Sequence, residues 1–262
     1  MTRDRYFKGT STSILVLLVL IMFYLFTGLF RTVDVPTLSS IIVSQGTAEA
    51  VAISLISIIV SMGVVGFSGT LLAYKMCRRK GRLYEWLNGL IILPLLLPPT
   101  VAGLVLLQGF GRYSVFSQLL FHGELNVTFN FVAIIVTQVY VTMPFFYQMT
   151  LNAFEDIDVT YIEAAKVYGA DQWVLLKDIM IPMSLRSMGA GLFMSALRGL
   201  SEFGATIMFA GNMAGKTQTM TTRIYQLYQT DMNAALALAS FQLCLFLIPY
   251  FLFIRQRKMS DT

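Results

Sequence analysis

Residues Glu163–Pro182 read EAAKVYGADQWVLLKDIMIP. Glu163, Lys166, Asp171, Lys177 and Asp178 are charged, in a chain that is 56% hydrophobic and only 13% charged. Thr160-Tyr161-Ile162-Glu163 has capping-box spacing, in which the Thr160 hydroxyl accepts from the Glu163 backbone N–H and Glu163 reaches back. Gly169 suits the left-handed position that closes a helix. The pattern predicts a helix of about two turns, roughly 12 Å long at 1.5 Å per residue. A helix this short is marginal in water and needs a surface to hold it. A second amphipathic stretch follows (Trp173, Leu176, Ile179, Met180), which Pro182 is expected to break. By residue chemistry alone, this pair either rests on lipid headgroups or receives a partner protein.

The surrounding chain is too apolar for a soluble domain: its mean hydropathy is +0.69 over 262 residues. Its long apolar runs predict an all-α, polytopic membrane protein, since a helix needs roughly 20 apolar residues to cross the hydrocarbon. Six transmembrane helices are expected, near Ser13–Phe30, Ala48–Tyr74, Trp86–Phe110, Asn130–Thr150, Met188–Ala210 and Asn233–Ile254. The organisation follows: an N-terminal segment with the first span (1–45), a transmembrane domain (46–254) carrying a cytoplasmic loop (151–187), and a tail (255–262). The basic start TRDRYFK resembles a signal peptide, but the apolar core after it is too long, so the first span is expected to stay uncleaved.

Lys and Arg fix the orientation. Fourteen of the 19 fall on one side, at the N-terminus, after the second span, around Glu163–Pro182 and at the C-terminus. Four fall opposite (Arg31, Arg112, Lys216, Arg223), and Arg198 lies within a span. Both termini and the Glu163–Pro182 stretch are therefore expected to be cytoplasmic. The net charge of +5 then reflects topology, and no nucleic-acid partner is expected.

Glu163, Ala164, Ala165, Gly169, Ile179 and Pro182 stand in the register of the EAA loop of membrane subunits of bacterial and archaeal ABC importers, with Ile181 where that pattern prefers Leu. The chain resembles that family. Leu93–Leu107 (LPLLLPPTVAGLVLL) and Arg198–Tyr225 (RGLSEFGATIMFAGNMAGKTQTMTTRIY) are similar to segments of its molybdate and tungstate permeases, and more loosely of its sulfate permeases. The resemblance implies a type I ABC importer permease fold. It also implies a homodimer of this subunit, two cytoplasmic ATP-binding subunits that hold MgATP, and an external oxyanion-binding protein, all in the cytoplasmic membrane of a bacterium or archaeon. Thr160, Tyr161, Ile162, Glu163, Ala164, Ala165 and Gly169 would form the helix that docks on the ATPase.

Other residues are read by their own chemistry. Arg198 and Glu202 share a helix face with Ser201 beside them, near mid-bilayer if the helix starts at Met188; they form either a self-satisfied pair or part of a path. Ser54, Ser57, Ser61 and Ser68 recur on one face; like Gln138 and Thr142, they either let helices pack closely or line a path. Pro94, Pro98 and Pro99 mark an ordinary kink or a hinge. Gly215-Lys216-Thr217 is not a phosphate loop, because Gly211 is one residue too close; this external loop either meets the binding protein or simply connects. His122, beside Glu124, reads as a solvated loop residue. Cys77 and Cys244 are too far apart for a disulfide framework or a metal knuckle. No nucleophile–base pair or metal-ligand cluster stands out, so neither catalysis nor a cofactor is expected on this chain. The expected function is import of a tetrahedral oxyanion, molybdate or tungstate before sulfate. A stand-alone secondary transporter, with a repeat and intramembrane acids, is the contrasting expectation.

Overall fold

The computed structural model of the chain describes residues 2–31, 33–121 and 127–259; His122 and Glu124 lie outside the described residues. The described residues form helices and no strand. In chain order these are α1 (Thr2–Arg31), α2 (Val35–Val43), α3 (Gln45–Met76), α4 (Arg82–Ile92) with a 3-10 turn (Leu93–Leu95), and α5 (Pro99–Phe110). Then come α6 (Val115–Phe121), α7 (Phe131–Glu155), α8 (Val159–Val167), α9 (Gln172–Val174) and a π-helical turn (Leu175–Met180). The last four are α10 (Ile181–Leu200), α11 (Gly204–Phe209), α12 (Met220–Thr230) and α13 (Met232–Met259).

Four stretches are long and apolar enough to cross a membrane: Thr10–Arg31, Gln45–Met76, Phe131–Glu155 and Met232–Phe251. A fifth is the pair Arg82–Leu95 and Pro99–Phe110, if the two count as one span; they meet at 114°. The interruption expected within Trp86–Phe110 is thus a full break. Pro98 is the N-cap of α5 and Pro99 opens it, where a missing N–H leaves no intrahelical bond unmade.

Two expectations are corrected nearby. Pro182 does not end the amphipathic stretch. The helix widens into a π turn, with the Ile181 N–H donating to the Leu176 carbonyl, which makes room for the proline ring, and the chain runs on into α10. Nor is Met188–Ala210 one helix: α10 starts at Ile181, stops at Leu200, and the chain resumes helical form at Gly204. Arg198 therefore lies in the last turn of α10, about 26 Å from its start, at the break before α11.

The chain divides into two compact units, residues 1–48 with 223–262, and residues 49–222. In the first, α2 and α1 each pack on α13. The side chains of Ile14–Leu25 on α1 are all exposed, an apolar surface that suits lipid rather than water. In the second unit, α10 packs along α7 and α11 packs on α5 and α7. Its largest core joins Ile58, Met62 and Val65 of α3 to Phe146, Tyr147, Leu151 and Phe154 of α7, and to Leu175, Leu176 and Met180 of the π turn.

Where α5 meets α11 the backbones nearly touch. A Cβ on Gly103 would lie 2.8 Å from the Cα and the carbonyl oxygen of Ala205, and one on Gly204 would lie 2.8 Å from the Pro99 Cβ. Backbone cannot yield as a flexible side chain can, so Gly103→Ala should cost about 1–3 kcal/mol by overpacking. Gly189 has open space around its Cβ position, and Gly189→Ala should cost nothing. Thermal unfolding of the two purified variants in detergent checks this; equal midpoints would contradict the close approach.

Candidate functional site

The α8 helix is fastened at three points. At its start, the Asp158 carboxylate accepts from the Thr160 backbone N–H at 2.9 Å and from the Thr160 hydroxyl at 2.7 Å. The expected capping box is therefore corrected: Asp158 is the N-cap, Thr160 lies inside the helix as a donor, and Glu163 is exposed. A carboxylate is the stronger acceptor and lies at the charge-favoured end of the helix. The Thr160 N–H, then its hydroxyl, and to a smaller extent the charge of Arg78 hold the Asp158 carboxyl below its ordinary value of 3.8.

At its end, Gly169 adopts φ +83°. Its N–H donates to Lys166 O, and that of Ala170 donates to Ala165 O, both at 3.0 Å. These two bonds make a Schellman closure, which requires the left-handed residue. Between the ends, Ile162 is 8% exposed and sits in the core with Ile157, Leu175 and Met180. The remaining faces are open: Tyr161 is 59% exposed, Val167 84% and Tyr168 92%. Ala164 lies between Tyr161 and Tyr168 at helical spacing and is also exposed, and Ala165 is half-buried. The result is a rigid short helix with one apolar anchor and an outward aromatic face.

The polar residues expected on the spans fall into two sets. Ser57, Ser61 and Gln138 come together between α3 and α7: Ser61 Oγ donates to Gln138 Oε1 at 2.9 Å, and Gln138 Nε2 to Ser57 Oγ at 3.1 Å. All three are buried, and the Thr142 hydroxyl turns back to its own helix at Gln138 O. These groups satisfy one another and hold two helices close. Ser54 is buried and accepts from the Met220 N–H at 2.8 Å, whereas Ser68 is half-buried.

Arg198, Ser201 and Glu202 form the second set, at the break between α10 and α11. Arg198 Nη1 is 2.9 Å from Glu202 Oε2, with the arginine side chain 34% exposed and the glutamate 1%. The other carboxylate oxygen accepts from the Ala205 N–H at 3.0 Å, and Thr221 Oγ1 donates to the Glu202 carbonyl at 3.0 Å. Ser201 turns its hydroxyl onto Arg198 O. Glu202 thus joins α10 to the start of α11, a role that the expected shared helix face did not anticipate.

The segment read as an external loop is only partly open. Ala214, Gly215 and Lys216 are exposed, while Thr217, Gln218, Thr219 and Thr222 are buried. Their polar groups are paired: Thr217 Oγ1 accepts from the Met213 N–H, Gln218 Nε2 donates to Asn212 Oδ1, and Thr222 Oγ1 accepts from the Thr219 N–H. The density of hydroxyl and amide residues in QTMTT was the available signal, since buried polar groups need such partners.

Two substitutions test the fastening of α8. Gly169→Ala meets no atom within 4 Å but keeps a left-handed φ, so it should fray the end of α8 at a cost of about 1–2 kcal/mol; Gly169→Asn should be better tolerated. The Asp158 cap has a depressed folded-state value, so its contribution is fully present above 3.8 and is lost as pH falls through the lower folded-state value. Hydrogen exchange across residues 158–169, corrected for intrinsic rates, should rise over that acid range in the native chain and lose this pH dependence in Asp158→Asn.

Residues 65–256 match the family described as binding-protein-dependent transport system inner membrane component. YvgM of Bacillus subtilis (strain 168), provisionally named a molybdenum transport system permease protein, is 37% identical over 198 residues, covering 74% of this chain and 86% of its own. The sulfate transport system permease protein CysT of Escherichia coli (strain K12) is 31% identical over 201 residues, covering 76% and 73%. A chain of a bacterial alginate ABC transporter, solved with an alginate pentasaccharide-bound periplasmic protein, is similar in fold at a TM-score of 0.78 and 15% identity, covering 100% of this chain and 97% of that one. The all-helical architecture is that of type I ABC importer permeases, and this chain belongs to the family of inner membrane components of binding-protein-dependent transport systems.

Proposed function

We propose that this chain is the membrane subunit of an ABC importer that carries a tetrahedral oxyanion, molybdate or tungstate first, across the cytoplasmic membrane of a bacterium or archaeon. The observation that carries the coupling part is α8: closed at both ends, anchored by Ile162, and presenting Tyr161, Ala164 and Tyr168 outward. A rigid helix so mounted transmits a push from a partner into the core of α3, α7 and α10, which a frayed loop would absorb. Two cytoplasmic ATP-binding subunits would supply that push, with MgATP held on them and none on this chain. Two copies of this chain would form the pathway, and an external binding protein would deliver the anion to its outward-open state. ATP-driven closure would then switch the open side, and hydrolysis would reset it.

Six crossings are the reading that fits this scheme: the four long spans, the bent α4–α5 pair, and α10 with α11. An even number places both termini on one side, in keeping with the Lys and Arg distribution. Arg198 at the α10–α11 break is the candidate for meeting a passing anion. Its charge is partly balanced by Glu202, which favours a transient contact over a trap. Both Glu202 oxygens are engaged, and this argues against a proton-coupled secondary transporter.

The molybdenum assignment rests on the relative at 37% identity; sulfate is the second reading, favoured by the relative at 31%. Cells with and without this gene, grown in limiting molybdate, tungstate and sulfate, distinguish them by elemental analysis. Loss of Mo or W with S unchanged is expected, and loss of S alone would move the substrate to sulfate. Gly169→Pro, which cannot adopt φ +83° or donate to Lys166, should abolish uptake while leaving membrane insertion intact. Retained ATP-dependent uptake in that variant would contradict the coupling role.

A further inference from the structure

Beside α8, on the side away from Tyr161 and Tyr168, lies a cavity of about 370 Å³. Its walls come from three segments: the end of α3 and the turn after it, with Lys75, Arg78 and Arg79; α8, with Ile162 and Lys166; and α9 with the π turn, with Gln172 and Leu175. Ile162 and Lys166 are four apart and share a helix face. Met180 of the π turn forms the apolar floor.

The cations are arranged rather than merely numerous. Arg78 holds φ +58°, a left-handed backbone that is uncommon and costly for a residue with a side chain. Its guanidinium donates to the Ile157 carbonyl, which fixes its place without neutralising its charge. Arg79 lies over the Tyr84 ring, 5.9 Å from its centroid, a cation–π contact that likewise leaves the charge in place. Glu155, Asp158 and Asp171 act on this corner through space. Among the described residues, none of them comes within ion-pair distance of Lys75, Arg78, Arg79 or Lys166. Topology accounts for basic residues on this side of the membrane. It does not account for four of them converging on one cavity, two of them held by partners that carry no charge.

We infer that this cavity is a binding site for a phosphate-bearing anion, held between Lys166 on α8 and Lys75, Arg78 and Arg79 at the end of α3. Arginine and lysine together suit phosphate oxygens, the first by its planar fork and the second as a point charge. The site lies directly after a membrane-spanning helix, so the phosphate comes either from an anionic lipid headgroup at the membrane surface or from a soluble ion. Bound there, it ties α8 to α3 and stiffens the mount of the proposed coupling helix. The site consists of this chain's own residues, and its occupancy does not depend on which oxyanion is transported.

The full-length chain, purified in detergent, is titrated calorimetrically with short-chain phosphatidylglycerol, short-chain phosphatidylcholine and inorganic phosphate. Saturable binding of phosphatidylglycerol but not of phosphatidylcholine or phosphate identifies a lipid headgroup; saturable binding of inorganic phosphate identifies a soluble ion. In either case Lys166→Gln and Arg79→Gln should each weaken binding about tenfold or more, the loss of one charge-assisted contact, while Lys216→Gln, on the exposed part of the α11–α12 connection, should not. Lys166 is an exposed surface side chain, so its variant tests the site without threatening the fold. The proposal is overturned if no saturable anion binding is seen, if phosphatidylcholine binds equally well, or if Lys166→Gln and Arg79→Gln bind as the native chain does.

Discussion

A nine-residue helix cannot hold itself together in water, so everything that α8 could transmit depends on how it is held. Nucleation costs more than so few backbone bonds return, and the sequence supplies the missing stability at three places. Asp158 satisfies an N–H at the start, Gly169 takes the left-handed conformation that closes the end, and Ile162 enters the core formed by α3, α7 and the π turn. With those fixed, the helix needs no further packing, and its remaining faces are left for other contacts. Exposure of Val167 at 84% and Tyr168 at 92% is otherwise unfavourable for a chain in water. It is coherent for a surface that another subunit covers.

The same demand for satisfied backbone groups governs the helix breaks. Proline starts α5, and the Glu202 carboxylate accepts the Ala205 N–H at the start of α11 while holding Arg198. Around them the glycines at 103 and 204 bring α5 and α11 together at backbone contact. Backbone groups freed and buried at such breaks need partners. The Thr221 hydroxyl donates to the Glu202 carbonyl, and the Ser54 hydroxyl accepts from the Met220 N–H at the start of α12.

The long apolar helices were legible because lipid imposes a length and a composition that no packing detail can override. Gly169 was legible for a similar reason, since few residues accept its φ. Asp158 was not: Asp158 and Thr160 both suit an N-cap, and only the folded chain shows the threonine donating to the aspartate. The π turn hid the passage through Pro182, because local rules say that proline ends a helix, while the widened turn depends on the core beneath Leu175 and Leu176. Glu202 was placed beside Arg198, but its hold on α11 depends on a break that hydropathy does not register. Thr217–Thr222 read as loop because polar residues between apolar runs usually are one; their burial depends on partners such as Asn212 that proximity in sequence alone does not assign.

Site-specific photocrosslinking would read the contact made by α8 itself. A benzophenone amino acid placed at Tyr168, irradiated in membranes that contain the assembled transporter, should link this chain to an ATP-hydrolysing subunit, and the link should change in yield when ATP is bound. The same probe at Tyr113, which is 87% exposed in the turn between α5 and α6, should give no such product. A crosslink from Tyr113 to the ATPase, or none from Tyr168 under any nucleotide condition, would contradict the assignment of α8 as the coupling helix.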